Sequence, residues 1–240
     1  MMCRDKYSKA TLCFAAKSQL LIVLSVIFSL TACSNGGDDS NTVIVGPGDV
    51  TYEMRFIATW SAATHPDDFP SSAHFSGLIG ASHNASVLFW EAAAQASPGI
   101  ESMAETGSKS ALIDEVEQAM STGNADKIIS AAGLGASPGN IDITFPMQSS
   151  HPYISIVTML APSPDWFAGV SAINLMENGD WLPSKTVELF VYDAGTDDGV
   201  SYTSSDADSN PKQAIMKISE SPFFVNGQIR SVGQFVFQKQ

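Results

Sequence analysis

The chain has 240 residues and a formal net charge of −13 at pH 7, from 25 acidic and 12 basic side chains. So acidic a protein repels polyanions, which argues against nucleic acid as a partner and suits divalent cations instead. The sequence contains three cysteines, and the first two fall in a segment that we expect to be removed. The exported part is therefore predicted to have no disulfide and no thiol chemistry.

The N-terminus has the pattern of a bacterial lipoprotein signal peptide, predicted over residues 1–32. Basic residues precede an apolar run at 20–30, which has the length of a secretory core and is short for a membrane span. The run closes in Leu30-Thr31-Ala32-Cys33, where small residues precede a cysteine as in a lipobox. An ordinary signal peptide with an incidental cysteine is the alternative. The lipobox predicts lipidation of Cys33 and an exported lipoprotein, anchored to the outer membrane or cell surface.

Residues 33–50 are predicted to form a tether, because they are rich in Ser, Asn, Gly and Asp and have no apolar period. Residues 51–240 are long enough for one domain with a good hydrophobic core. Loss of residues 1–32, which hold four basic residues and one acidic residue, would take the net charge from −13 to −16.

The domain is predicted to be mostly β. Period-two or apolar runs predict strands at 52–60, 85–91, 141–145, 153–160, 167–175, 186–192 and 229–237. Apolar residues on one face predict a helix at 109–120, and a second short helix is expected at 124–132. Closely spaced strands with one helical insertion favour an antiparallel β-sandwich with a short helical insertion.

Two acidic segments suggest a cation site. Residues 162–167 read Pro-Ser-Pro-Asp-Trp-Phe, and residues 191–199 read Val-Tyr-Asp-Ala-Gly-Thr-Asp-Asp-Gly. Carboxylates on neighbouring loops repel one another unless a cation lies between them, and Ca²⁺ takes six to eight oxygen ligands. The candidate ligands are Asp165, Asp193 and Asp197. Turn-capping by these residues is an equally strong reading of the pattern alone.

The histidines give a weaker signal for a transition metal or a catalytic site. His65, His74 and His83 are nine residues apart, which fits neither one helix face nor a short chelating loop, and His151 lies far along the chain. The sequence has no Gly-x-Ser-x-Gly elbow, and nothing at a readable spacing pairs with Glu105. We expect the histidines to order loops by hydrogen bonding.

Several motifs in this order together resemble the spondin domain found near the N-terminus of F-spondin and related matrix proteins. They are Thr-Trp-Ser at 59–61 with His-Pro and Phe-Pro at 65–70, Ala-His-Phe-Ser at 73–76 with Ile-Gly and His-Asn at 79–84, Ser-Pro-Gly-Ile with Met-Ala-Glu-Thr-Gly at 97–107, Pro-Ser-Pro-Asp-Trp-Phe at 162–167, and Asp-Ala-Gly-Thr-Asp at 193–197. The resemblance covers residues 52–237. It implies a C2-like antiparallel β-sandwich of about eight strands with bound Ca²⁺ held by Asp165, Asp193 and Asp197. Unlike animal members, this chain has no domain cysteines and no downstream repeats.

The leading hypothesis is a lipid-anchored, calcium-binding, extracytoplasmic domain without enzymatic activity, which binds a protein or glycan partner and is attached to the membrane through Cys33. Calcium would make the loops at one end of the sandwich rigid, and that end would contact the partner. One alternative is a scaffold in which calcium is structural and recognition lies elsewhere. Another is a His-dependent hydrolase.

Overall fold

A computed structural model describes residues 48–240, so the predicted signal peptide, Cys33 and nearly all of the tether lie outside the described residues. Fifteen strands and two helices follow in chain order: β1 (Val50–Ala58), β2 (His74–Phe75), β3 (Ile79–His83), α1 (Pro98–Thr106), α2 (Ser110–Ser121), β4 (Ala125–Ser130), β5 (Gly139–Met147), β6 (Tyr153–Ala161), β7 (Trp166–Asn174), β8 (Met176–Glu177), β9 (Asp180–Trp181), β10 (Ser184–Leu189), β11 (Val191–Asp193), β12 (Met216–Lys217), β13 (Phe224–Val225), β14 (Gln228–Ile229) and β15 (Gly233–Lys239). Across residues 48–240, neither helix is long and apolar enough to span a membrane.

The smaller of the two main sheets has the antiparallel order β10-β15-β1-β5. In β1 the buried residues alternate with more exposed ones, as the period-two pattern of the sequence predicts. Phe56 at its centre lies opposite Phe235 of β15 and Ile141 of β5. One face of this sheet therefore supplies a continuous row of large apolar side chains to the core.

The larger sheet has the order β12-β11-β7-β6-β3-β4, and β2 pairs with β6 beside this path. Strand β6 is buried on both faces, because one face packs against the smaller sheet and the other is covered by the helices. The outer cluster joins Ile100 and Met103 of α1 and Leu112 of α2 to Phe167 of β7. The molecule therefore has two packed sheets with a helical pair on the outside of one.

Close packing of the central strands requires glycine at one position in β3. A Cβ added at Gly80 would lie 1.9 Å from the carbonyl oxygen of Ser155 in β6. The two backbones can approach this closely because glycine has no side chain.

The predicted fold class is confirmed: the protein is mostly β, with antiparallel sheets in a sandwich and a short helical insertion. Eight of the strands in residues 48–240 have five or more residues. Helix α2 and strands β1, β5, β6 and β7 lie where the sequence predicted them. The run at 186–192 is divided at Phe190 into β10 and β11, and the run at 229–237 is divided into β14 and β15.

Two element predictions are wrong. Residues 85–91 form a loop, and the strand β3 precedes them, because Asn84 Oδ1 accepts a hydrogen bond from the Ser86 amide at 2.8 Å and turns the chain. Residues 124–132 contain strand β4 where a helix was expected, because Ile128 and Ile129 complete the edge of β3. Helix α1 was not predicted.

Candidate cation site

Strand pairing brings the two acidic segments together. Strand β11 runs antiparallel to β7, with Asp193 opposite Trp166. One step further, the Ala194 amide donates to the carbonyl oxygen of Asp165 at 3.2 Å. The turn between β6 and β7 therefore lies against the loop that follows β11, which places Asp165 beside residues 193–197.

Asp165 is fully buried and organises the facing loop. Its Oδ2 accepts hydrogen bonds from the Thr196 amide at 2.8 Å, the Thr196 hydroxyl at 3.2 Å and the Asp197 amide at 3.1 Å. Its Oδ1 is buried and has no hydrogen-bond partner within residues 48–240. Burial raises the pKa of Asp165, which outweighs the opposing effect of these hydrogen bonds. The site thus contains one carboxylate oxygen that is both desolvated and uncompensated.

Asp193 is half-buried beside Asp165. Its Oδ1 accepts a hydrogen bond from the Gly195 amide at 2.8 Å, and Gly195 has φ +73, a conformation that favours glycine. Burial, and next the charge of Asp165, raises the pKa of Asp193 from 3.8 to about 6. The protein therefore holds two carboxylates together at an electrostatic cost, an arrangement that a bound cation would relieve.

Asp197 uses both of its oxygens to shape the loop. Oδ1 accepts from the Gly199 amide at 2.6 Å, and Oδ2 accepts from the Ala207 amide at 2.8 Å. Asp197 is 5% exposed and forms an isolated bridge with Asp208. Its carboxylate therefore closes the 197–208 loop, and any metal ligation would use its remaining lone pairs.

The three predicted ligands share one region, but they are not assembled as a finished metal centre. No group of three or more His, Cys, Asp or Glu side chains within residues 48–240 is arranged to hold a metal ion. The ligand assignment of Asp165, Asp193 and Asp197 therefore stays a prediction. The chemistry of the donors suits a hard cation, because the strongest candidates are carboxylate oxygens.

A groove of about 370 Å³ opens on this region. Its lining includes Trp166, Asp193, Val200, Met216 and Lys217. Val200 is 85% exposed and Met216 is 58% exposed, and both are large apolar side chains. The groove gives Asp193 access to solvent, and its rim combines apolar surface with charge.

Sequence reasoning missed the contribution of Glu105, because nothing near it in the sequence pairs with it. Its Oε1 is buried and has no hydrogen-bond partner among the described residues. Burial raises the pKa of Glu105, the nearby Thr196 side chain lowers it, and the charges of Glu101, Asp165 and Asp208 raise it. Glu105 thus belongs to the same electrostatic cluster as Asp165.

The histidines lie apart from this cluster, and among them His83 and His151 are close enough for the charge of His151 to act on His83. His74 Nδ1 is 2.7 Å from the Ser72 carbonyl oxygen, and His151 Nε2 is 3.1 Å from the Gly123 carbonyl oxygen. His65 is buried beside Phe223. These positions suit loop ordering, with no metal-ligating group of histidines in residues 48–240.

His83 and Ser155 form a buried pair. His83 Nε2 is 2.9 Å from Ser155 Oγ, and His83 Nδ1 is 2.8 Å from the Asn84 carbonyl oxygen. Ser155 Oγ also accepts from the Ala172 amide at 2.9 Å. His83 is 0% exposed and Ser155 is 2% exposed, so a substrate could not reach the hydroxyl in this conformation.

Comparisons with known proteins cover most of the described chain, including the residues of every motif quoted above. The Spondin_N family model matches residues 50–227. Spondin-1 of Gallus gallus is 31% identical over 210 residues, which cover 80% of this chain and 26% of the relative. Spondin-2 of Homo sapiens is 30% identical over 174 residues, which cover 71% of this chain and 53% of the relative. The chain thus spans about a quarter of Spondin-1 and about half of Spondin-2.

Proposed function

The chain belongs to the Spondin_N family, and from this membership and the acidic loops we propose that it is a calcium-binding recognition domain without enzymatic activity, exported and held at the membrane by lipid on Cys33. Calcium would bind where the turn before β7 meets the loop after β11. It would make that end of the sandwich rigid for contact with a protein or glycan partner.

The observation that carries the calcium proposal is Asp165 Oδ1, a buried carboxylate oxygen with no hydrogen-bond partner in residues 48–240. Burying a carboxylate oxygen without a partner is costly, and buried charges are usually paired or bound to a metal. Asp165 Oδ1, the Asp193 carboxylate, the remaining lone pairs of Asp197 and nearby carbonyl oxygens would form an oxygen-only shell. Such a shell favours Ca²⁺ over Zn²⁺, and Ca²⁺ accepts a more variable ligand geometry than the octahedron that Mg²⁺ requires.

The groove beside Asp193 supports recognition at the same end. Val200 and Met216 are two of the five large apolar side chains that are exposed in residues 48–240, and both line this groove. Exposed apolar surface rimmed by polar residues is typical of a binding site. A bound cation would also offset part of the acidic charge that surrounds the groove.

Calorimetric titration of the purified protein with Ca²⁺ tests the metal site. We expect Asp193→Asn and Asp197→Asn to weaken Ca²⁺ binding, singly and more strongly together. Asp180→Asn is the matched control, because Asp180 is an exposed residue in the hairpin of β8 and β9. Unchanged binding in the double variant would remove both residues from the site.

The membrane anchor has its own test. Wild-type protein should carry lipid on Cys33 by mass spectrometry and partition with membranes, whereas Cys33→Ser should be released or should remain an unprocessed precursor. A non-acylated wild-type protein would refute the anchor and leave the calcium site untouched.

A structural-calcium scaffold remains the second candidate, because Asp165 and Asp197 each hold a loop through backbone amides. A ligand that binds only the native state raises the melting temperature as its concentration rises. If chelator lowers the melting temperature but leaves partner binding intact, calcium is structural. For the hydrolase, loss of a measured turnover in His74 or His83 variants would favour catalysis, and burial of His83 and Ser155 leads us to expect no turnover.

A further inference from the structure

Three carboxylates have a buried oxygen without a hydrogen-bond partner in the described part of the chain. They are Glu105 Oε1, Asp126 Oδ2 and Asp165 Oδ1. Such an oxygen loses its hydration without compensation, so each one calls for a physical explanation. Two of the three lie in segments that pack together: Glu105 follows Met103 and Ala104 of α1, which share a buried cluster with Ala194, and Asp165 accepts a hydrogen bond from the Thr196 hydroxyl. Two of the three unpartnered carboxyl oxygens are thus found in one region of the fold.

Glu105 also lies at the unfavourable end of its helix. Helix α1 starts after Ser97, whose Oγ accepts a hydrogen bond from the Ile100 amide at 3.2 Å. It ends at Thr106, and the amide of the following Gly107 donates to the Met103 carbonyl oxygen at 2.9 Å. Glu105 is in the last turn, where the helix dipole disfavours negative charge, and α1 itself has no basic residue in that turn. A positive charge outside the helix would remove this conflict.

Helix α1 is fastened to the acidic loop by other contacts. Lys212 forms an ion pair with Glu101, one turn before Glu105. The next residue, Gln213, donates its amide to the Gly195 carbonyl oxygen at 2.8 Å. The Thr196 hydroxyl then donates to Asp165 Oδ2 at 3.2 Å. Met103 and Ala104, directly before Glu105, belong to the same buried cluster as Ala194, so the end of α1 is held beside the 194–197 segment independently of the Glu105 carboxylate.

We propose that Glu105 of α1 supplies a fourth carboxylate to the cation site of Asp165, Asp193 and Asp197, and so couples the helical pair to calcium binding. This inference rests on the proposed calcium function and extends it to an element outside the two acidic segments. It predicts that the cation fixes three parts of the chain: the turn before β7, the loop after β11 and the end of α1.

A different explanation for the same geometry is a protonated Glu105 that only fills space. The two explanations predict different effects of Glu105→Gln on calcium affinity. Glutamine reproduces a neutral carboxyl group in shape, so it would leave calcium affinity unchanged if Glu105 is neutral in the calcium-bound protein. If Glu105 contributes negative charge to the ion, the same substitution removes that charge and leaves only an uncharged amide oxygen, which weakens calcium binding.

The test measures calcium affinity of the purified protein by calorimetry and by luminescence of Tb³⁺, which replaces Ca²⁺ and is sensitised by a nearby tryptophan such as Trp166. We expect Glu105→Gln to weaken binding by about 10- to 100-fold. Glu117→Gln is the matched control, because Glu117 is exposed on α2 and its loss changes the net charge equally. The control should bind within about twofold of wild type.

Further measurements separate a loss of calcium ligation from a loss of folding. Circular dichroism checks the fold of each variant, and Glu105→Asp, which keeps the charge but shortens the side chain, carries the test if Glu105→Gln does not fold. Excited-state lifetimes of Tb³⁺ in H₂O and D₂O count bound waters, which should increase when a direct ligand is lost. Wild-type affinity in folded Glu105→Gln would overturn the role of Glu105 alone. Failure of wild type to bind Ca²⁺ or Tb³⁺ would overturn the calcium function, and the role of Glu105 with it.

Discussion

Replacement of Asp165 separates its two roles, as the organiser of a loop and as a candidate calcium ligand. In Asp165→Ala, the amides of Thr196 and Asp197 both lose their acceptor in a buried environment. Each unsatisfied buried donor costs about 1–3 kcal/mol, so the loss of unfolding free energy should be at least about 2 kcal/mol with or without calcium. That is a large share of the roughly 5–15 kcal/mol that stabilises a typical domain.

Asp165→Asn should behave differently, because an amide keeps one oxygen for the two backbone donors and removes the charge. The charge of Asp165 contributes to the raised pKa of Asp193, so its removal relieves repulsion in the calcium-free protein. We therefore expect the calcium-free stability of Asp165→Asn to stay within about 1 kcal/mol of wild type, or to rise. The amide nitrogen would then occupy the place where the cation needs an oxygen.

Urea unfolding in chelator and in excess Ca²⁺ measures both effects. A ligand at 100 times its dissociation constant stabilises the native state by about 2.7 kcal/mol. Wild type should gain this amount, whereas Asp165→Asn should gain almost none at the same Ca²⁺ concentration. If Asp165→Asn keeps the full gain, Asp165 is not part of the cation site and the reasoning from its buried oxygen fails.

Three further predictions concern pH and packing. In chelator, wild type should lose stability relative to Asp193→Asn as pH rises from about 4 to about 6, because the raised pKa of Asp193 favours the folded state only while the carboxyl is protonated. Saturating Ca²⁺ should abolish this shift, as measured by calorimetry. A pH-independent difference in chelator would contradict the prediction. Burial lowers the pKa of His83 in the folded protein below 6.5, so the stability that depends on neutral His83 is fully present above pH 6.5 and is lost as pH falls from 6.5 through the lower folded-state pKa. His83→Gln should therefore have a weaker acid dependence in urea unfolding, and an unchanged profile would refute this assignment. Gly80→Ala should destabilise the fold by more than about 3 kcal/mol or prevent folding, since its Cβ would lie 1.9 Å from the Ser155 carbonyl oxygen. The control Gly123→Asn, at an open position with φ +71, should change the melting temperature little.

The secondary structure was predictable where local and tertiary preferences agree. The alternation of β1 and the apolar face of α2 each identify one element, because one side of each packs against the core. The sequence also contains terminal signals for helix α1, with Ser97 as its N-cap, Pro98 at its start and Gly107 as its C-cap. Strand β3 is buried along its whole length, so it has no alternation to detect.

Prediction failed where a neighbouring strand determined the conformation. Residues 124–132 carry local features of a short helix, but the free edge of β3 requires a partner, and Ile128 and Ile129 suit a strand. Such a requirement is invisible in a local window, because β3 and β4 are separated by both helices. The loop after Asn84 likewise depends on a side-chain hydrogen bond, from the Ser86 amide to Asn84 Oδ1, which turns the chain where the local sequence favours a strand.

The sequence by itself determined the acidic character of the domain, its β-rich class and the family motifs that carry Asp165, Asp193 and Asp197. Only the tertiary structure decided how these carboxylates differ: Asp165 has a desolvated oxygen without a partner in residues 48–240, Asp193 faces a groove, and Asp197 caps a loop with both oxygens. It also brought Glu105 from a distant helix to the same place. The physical reason is that residue type and spacing fix which groups carry charge, whereas desolvation and long-range packing fix what each charge costs and what it can bind.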